Sequence, residues 1–268
     1  MAGTEPLIAV FCDFENLAIG ARRSKLGPIK IDLVLKRLLE KGRIVYKRAY
    51  CDWSGYQKEG KELHRHGVEM VEIPQTKMSG KNSADIHMVV DALDLCYAKQ
   101  HIDIFALLSG DSDFSPLVAK LKENDKRVIS CGVKSSTSDL LVNASDEFLY
   151  YDDLVRAERG RAERAERATP KTKTAKSKTG TTKAPELTDG VNQVFEIVQS
   201  LAGDYDQVWG SMVKQTVKRV YPGFTESASG HGSFHDLLEA LEDKGQIELE
   251  WDDKRGNYLV KLHRAKRS

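Results

Sequence analysis

No apolar run in the sequence approaches the ~20 residues that a helix needs to cross a bilayer, so no membrane-spanning role is expected. The longest run near the start is only Leu7 to Cys12. Residues Met1 to Pro6 lack the basic segment and apolar stretch of a secretory leader, and a cytoplasmic location is the corresponding expectation. Cysteine is scarce: Cys12, Cys51, Cys96 and Cys131 form no close pair, which argues against a zinc site and against a disulfide framework. Three of them fall in apolar, strand-like runs, where a reduced thiol behaves as a small hydrophobe. His64 and His66 read as surface histidines ending a helix rather than as a ligand pair. Net charge is also nearly absent, at +1 from 41 basic and 40 acidic side chains, and alone it says nothing about nucleic acid. No internal repeat is present.

The charge is unevenly distributed. Arg156 to Ala184 holds ten Lys/Arg against three Glu, a net of +7, which leaves −6 for the remainder. That segment has no aromatics and cannot bury a core. It divides the chain into an N-terminal domain (1–155), a basic flexible linker (156–185) and a C-terminal domain (186–263). The linker's first half, Arg156–Arg167, is rich in helix formers and extends the preceding helix, whereas Thr169–Lys183 is expected to be flexible. The linker either holds RNA by nonspecific attraction or acts as a solubilising spacer.

The first domain alternates short β-like runs with helical stretches, the pattern of an α/β fold with a mainly parallel sheet. Strands are expected at Leu7–Phe14, Arg43–Asp52, Val68–Ile73, Ile104–Ser109, Arg127–Val133 and Glu147–Tyr151. Helices are expected at Ile31–Lys41 and at Ala84–Lys99, the latter packing through Ile86, Val89, Val90, Leu93 and Tyr97. The last domain reads as three helices (from Leu187, around Ser211–Val220, and Ser233–Lys244) and two strands, Gln246–Trp251 and Tyr258–Leu262. This is the layout of a small winged helix-turn-helix.

Ligands of parallel sheets bind at the carboxyl ends of the strands, and three acidic clusters fall there. Asp13 ends the first strand, with Asn16 in the loop beyond it. Asp111 and Asp113 follow the fourth strand in Ser109-Gly110-Asp111-Ser112-Asp113-Phe114. Asp85 begins the helix before that strand, with Asp91 further along it. Helix capping accounts for Asp85, Asp111 or Asp113 taken singly, but not for Asp13, nor for three clusters at one edge. With the first and fourth strands adjacent, these carboxylates repel unless a cation compensates, and an all-oxygen set suits Mg²⁺ or Mn²⁺ rather than zinc. Such a site can deprotonate water and steady a phosphate under in-line attack.

Asp13-x-x-Asn16, the Lys81-x-x-x-Asp85 stretch leading into Val89-Val90-Asp91-Ala92, and Ser109-Gly110-Asp111-x-Asp113-Phe114 together resemble the NYN domain of LabA-like proteins, within the PIN-like nuclease superfamily. The resemblance covers Leu7 to about Leu154. It implies a PIN-like three-layer α/β/α fold, with Asp13, Asp85, Asp111 and Asp113 as catalytic metal ligands. It also implies that Asn16 orients substrate or water, that Asp91 is an outer member, and that the reaction is hydrolysis of RNA phosphodiester bonds. No residue is an obvious general base, a role that metal-bound hydroxide can fill. The alternatives are a non-catalytic RNA-binding regulator, and a phosphatase or structure-specific DNA nuclease using the same carboxylates.

Phosphate contacts are expected from Arg22, Arg23 and Lys25, in a loop after Asn16, and from Lys77 and Lys81, in the loop before Asp85. Each is equally an ordinary solvated loop cation by composition alone. Tyr50, Trp53 and Tyr56 are candidates for stacking on unpaired bases of single-stranded RNA, with core packing an equal alternative for Trp53. The C-terminal stretch from Val208-Trp209-Gly210-Ser211 through Tyr221-Pro222-Gly223-Phe224 and Gly232-Ser233-Phe234-His235-Asp236 resembles an OST-HTH (LOTUS) domain. That resemblance implies RNA binding or docking of a protein partner. Lys214, Lys218, Arg219, Lys254 and Arg255 are its candidate RNA contacts, against the plainer reading of a solvated helix face.

Overall fold

The computed structural model describes residues 5–73, 83–168 and 187–263. The chain separates into two compact units, Met1–Lys171 and Thr172–Ser268. Lys77, Lys81 and the Thr169–Lys183 segment lie outside the described residues. Among the described residues no helix is long and apolar enough to cross a membrane.

Unit one is built on six strands, β1 (Leu7–Asp13), β2 (Arg43–Cys51), β3 (Glu69–Glu72), β4 (Ile104–Leu108), β5 (Arg127–Gly132) and β6 (Glu147–Tyr150). They lie in the order β3-β2-β1-β4-β5-β6, and every pairing is parallel. The helices are α1 (Phe14–Arg23), α2 (Ile31–Leu39), α3 (Gln57–Arg65), α4 (Ser83–Ala98), α5 (Ser115–Glu123), α6 (Asp139–Ala144) and α7 (Tyr151–Ala168). The strands are continuous apolar runs because both faces are covered. Ile8, Val10 and Cys12 of β1 join Leu17, Val34, Leu38, Leu63 and Val155 in one core, whereas Ala9 and Phe11 join Met88, Val118, Leu121 and Leu141 in the other. Two helical layers thus sandwich the sheet. All four cysteines are free and buried.

Two local expectations are corrected. The stretch after Asp13 is helix α1 rather than a loop, placing Asn16, Arg22 and Arg23 on a helix. Phe14, Leu17 and Ala21 are buried, a three-to-four-residue spacing that only a helix can turn to one core. In α4 the buried face is Met88, Ala92 and Cys96, while Ile86, Val90 and Tyr97 are 62%, 59% and 57% exposed. The helix is apolar most of the way round, so periodicity could not choose a face. As expected for its first half, the basic segment up to Ala168 is helical, continuing α7.

The strand order reverses between β1 and β4, which are adjacent with Cys12 level with Leu108. β1 connects outward to β2 and β3, and β4 outward to β5 and β6, so the chain diverges in both directions from the carboxyl ends of this pair. That divergence opens a crevice at the sheet's carboxyl edge.

Unit two comprises α8 (Leu187–Asp204), β7 (Val208–Trp209), α9 (Gly210–Val220), α10 (Phe234–Asp243), β8 (Ile247–Asp252) and β9 (Asn257–Leu262). Its three strands form an antiparallel sheet in the order β7-β9-β8. Val194, Val198, Leu201, Val213, Leu237 and Val260 meet in one core. A capping box starts α10: the Ser233 side chain accepts from the Asp236 N–H, and the Asp236 carboxylate accepts from the Ser233 N–H. β7, which pairs with β9, was not foreseen, since two residues carry no alternation.

Gly110, just past β4, faces the backbone of Ser136 and Thr137, and a Cβ there would lie 2.6 Å from the Ser136 carbonyl oxygen and 2.9 Å from Thr137 Cα. Gly110→Ala is therefore expected to destabilise the fold by roughly 1–3 kcal/mol, the usual range for overpacking. Gly160→Ala, on α7 with nothing within 4 Å of the added Cβ, should instead be neutral or slightly stabilising. Urea unfolding of both variants checks this.

Candidate active site

The sequence expectation that Asp13, Asp85, Asp111 and Asp113 share one edge rests on β1 and β4 being neighbours, as they are. Asp13 is the last residue of β1 and the N-cap of α1, and one carboxylate oxygen accepts the Asn16 N–H at 3.2 Å. Its other oxygen accepts the Ser109 hydroxyl at 3.0 Å from the end of β4. Ser109 Oγ in turn accepts the Asp111 N–H at 3.2 Å, and the Asn16 side-chain oxygen accepts the Gly110 N–H at 3.1 Å. Side chain and backbone thereby stitch the ends of β1 and β4 together. Asp111 caps the short helical turn Ser112–Phe114 by accepting the Asp113 N–H at 3.0 Å. Capping and an electrostatic role coexist in Asp13 and Asp111.

Electrostatics couple the group. Burial pushes the Asp13 carboxyl from the ordinary 3.8 up to about 7, opposed by the Asn16 and Ser109 hydrogen bonds and reinforced by Asp85 and Asp111. Asp85, at the start of α4, is pushed up to about 6, first by burial and then by Asp111, Asp113 and Glu15. Glu15 is a member that the sequence reading passed over. Once α1 begins at Phe14, the Phe14 ring enters the core and Glu15, one residue on, comes within range of Asp85. Among the described residues no three His, Cys, Asp or Glu side chains stand close enough to hold a metal ion between them. The arrangement is an electrostatically coupled acidic group, all oxygen in its donors, rather than a closed cage.

Asp91 has a different set of partners. One of its oxygens accepts both Arg48 Nη1 and the Tyr50 hydroxyl at 2.7 Å. Tyr50 is fully buried, which rules out the stacking role considered for it. Trp53 is half-buried, donating its indole N–H to the Val71 carbonyl at 3.0 Å and packing against Phe14 with ring centres 5.2 Å apart. Tyr56, half-buried, meets the Phe14 ring edge-on at 5.3 Å. Arg22, Arg23 and Lys25 are exposed. His66 stands 3.3 Å from the Glu62 carboxylate.

In unit two, Lys214 and Lys218 of α9 share the Glu226 carboxylate at 3.1 and 3.9 Å, which offsets one of the three positive charges expected on that helix. Arg219 donates to the Thr216 hydroxyl at 3.2 Å. The wing turn is organised by Asp252, which accepts the Lys254 and Arg255 N–H groups at 2.9 and 3.0 Å. The Arg255 guanidinium lies 4.5 Å above the Trp209 ring.

The raised Asp13 and Asp85 values set a pH dependence. Between about pH 4 and 7 the folded chain retains protons on these carboxyls that the unfolded chain has released, so rising pH destabilises the metal-free fold through that window. For Asp13 alone the displacement from 3.8 to about 7 corresponds to on the order of 4 kcal/mol above neutral pH. In EDTA, Tm should fall from pH 5 to pH 8. Asp13→Asn, which retains a capping oxygen, should flatten that fall and raise Tm at pH 8 by roughly 2–4 °C per kcal/mol recovered. Thermal denaturation at both pH values measures it.

Comparison with known proteins gives the family. A protein of unknown function from Vibrio parahaemolyticus has a crystal structure that matches with a TM-score of 0.50 at 24% identity, covering 57% of this chain and 98% of that one; the likeness is one of fold. An uncharacterised protein of Methanocaldococcus jannaschii is 30% identical over 135 residues, 50% of this chain and 53% of the relative. The chain thus spans about half the length of that curated relative. Residues 7–152 match the NYN domain, an interval that runs from the first residue of β1 past the end of β6 and contains every carboxylate of the acidic edge. The chain belongs to the NYN domain family, a family of PIN-like nucleases.

Proposed function

We propose that this protein is a divalent-metal-dependent ribonuclease. The observation that carries the reading is the buried Asp13 carboxylate, anchored between Asn16 and Ser109 and repelled by Asp85 and Asp111 at the strand-order reversal. Repelling, partly buried carboxylates favour a bound cation, and oxygen-only donors fit Mg²⁺ or Mn²⁺. Asp13, Asp85, Asp111 and Asp113, which form no ready-made metal cluster in the metal-free chain, would have to converge to hold the metal, which when bound would supply an activated water and neutralise charge on the phosphate. Asn16 is fixed by its contact with the Gly110 N–H, placing its amide beside the same edge, where it orients substrate. Asp91, engaged by Arg48 and Tyr50, serves by fixing α4 against β2, which holds Asp85 in place.

A nuclease domain implies a nucleic-acid substrate, and RNA is the reading we advance. Unit two, winged-helix-like in its order of elements, resembles OST-HTH domains and would recruit RNA through Lys254 and Arg255, with Lys214 and Lys218 restrained by Glu226. We propose a cytoplasmic location for the whole chain.

The test is cleavage of labelled single-stranded RNA by the full chain with Mg²⁺, with Mn²⁺ and with EDTA, alongside a branched DNA and a small phosphomonoester. RNA should be cut only with metal. Asp111→Asn and Asp85→Asn should each reduce the rate by roughly 100-fold or more, since even outer partners of a metal site are worth about 10–100-fold. Retained RNA affinity without cleavage under any metal would leave an RNA-binding regulator instead, and preferential attack on DNA or the phosphomonoester would reassign the substrate.

A further inference from the structure

Along α1 lies a cavity of about 430 Å³, lined among others by Phe14, Ala18, Arg22, Lys25, Tyr56 and Glu59. Its size is within the usual range for small-molecule and nucleotide sites, roughly 300–1,000 Å³. Phe14, Ala18 and Arg22 recur every four residues along one stripe of α1, and the chain after α1 folds back over them through Lys25 and Gly27, both in the left-handed region at φ 56° and 89°. The start of α3 forms the opposite wall. Tyr56 is held there by its edge-on contact with the buried Phe14 ring, at 5.3 Å and 82°.

We propose that this cavity is a subsite for one unpaired nucleotide of the RNA strand, taking its base against Tyr56 and its phosphate between Arg22 and Lys25. The proposal rests on the ribonuclease reading and adds where the strand runs. Phe14 directly follows Asp13 at the start of α1, so the Phe14 end of the cavity is the end nearer to Asp13 along the chain. Arg22 lies eight residues further along α1, about 12 Å away at 1.5 Å per residue, which is beyond the scissile group itself. A strand leaving the acidic edge along α1 therefore meets an aromatic wall first and two cations next. That is the order in which a nucleotide presents its base and its following phosphate. Glu59, on the same lining, would accept from a ribose hydroxyl or a base amino group. A paired base cannot enter such a concavity, so the subsite selects single strands, consistent with how RNA is read by stacking on splayed bases.

Binding separates this idea from turnover. A fluorescein-labelled RNA tetranucleotide is titrated by anisotropy into the full chain in EDTA, in a Lys254→Ala/Arg255→Ala background that removes the wing cations. Tyr56→Ala should weaken binding by roughly 5- to 100-fold, the range for one stacked base, while Tyr56→Phe keeps affinity within about twofold. Arg22→Ala/Lys25→Ala should lower the slope of log affinity against log salt by roughly 1.4, two phosphate contacts at about 0.7 each for a single strand. Should Tyr56→Ala fail to fold, the exposed-position double variant decides the matter through its salt slope. Unchanged affinity in folded Tyr56→Ala, or an unchanged salt slope in the double variant, overturns the subsite. RNA held through Tyr56 but never cut with metal overturns the nuclease reading and leaves the subsite standing; RNA cut normally by a Tyr56→Ala protein of unchanged affinity does the reverse.

Discussion

A carboxylate buried at the point where two neighbouring parallel strands part company is the constraint around which unit one is arranged. Asp13 is 7% exposed, and burying a charge is unfavourable unless hydrogen bonds or a counter-ion offset it. Two hydrogen bonds are provided, from the Asn16 backbone and the Ser109 hydroxyl. The neighbouring acids oppose them. What results is a carboxyl pushed up to about 7, which at neutral pH is shared between its protonated and charged forms.

The surrounding sequence follows from that arrangement. Ser109 must bond Asp13 from the end of β4 and still accept the Asp111 N–H. Gly110 must come close to the backbone of residues 136 and 137 and present its own N–H to Asn16. Asp111 must turn the chain into the next helical turn while facing Asp85. Each residue of the Ser-Gly-Asp run therefore has a separate physical task, and the run joins β4, α1 and the 136–138 segment in one hydrogen-bonded unit, with Ser138 N–H also donating to the Gly110 carbonyl at 2.9 Å.

Much of the architecture was legible because buried parallel strands leave continuous apolar runs, as β1, β4 and β5 do, and because acids at their carboxyl ends have few structural reasons to be there. The adjacency of β1 and β4 was expected from a doubly wound order, while the rest of the strand order came from the structure. Legibility failed where two signals compete. Helix α1 is short and carries Gly20 and two arginines, so its Phe14, Leu17, Ala21 spacing was read as a loop, which hid Glu15 and the cavity along α1. Helix α4 is apolar on more than one face, and only contact with the sheet selects Met88, Ala92 and Cys96 over Ile86, Val90 and Tyr97. Tyr50 looked like a base-stacking residue because strand ends near a site are often open, yet its hydroxyl is satisfied internally by Asp91. The pairing of Lys214 and Lys218 with Glu226 brings together residues from α9 and from the segment after it, a tertiary contact that no local pattern encodes.

The central claim is that the Asp13 carboxyl is held protonated by burial and by its acidic neighbours, and that a divalent cation relieves this. An NMR titration of the Asp13 side-chain carboxyl carbon in the intact chain, with EDTA and then with saturating Mg²⁺, addresses it directly. The account predicts a midpoint of about 7 without metal and a marked fall when Mg²⁺ is added. A midpoint near the ordinary 3.8, or one indifferent to Mg²⁺, would contradict it.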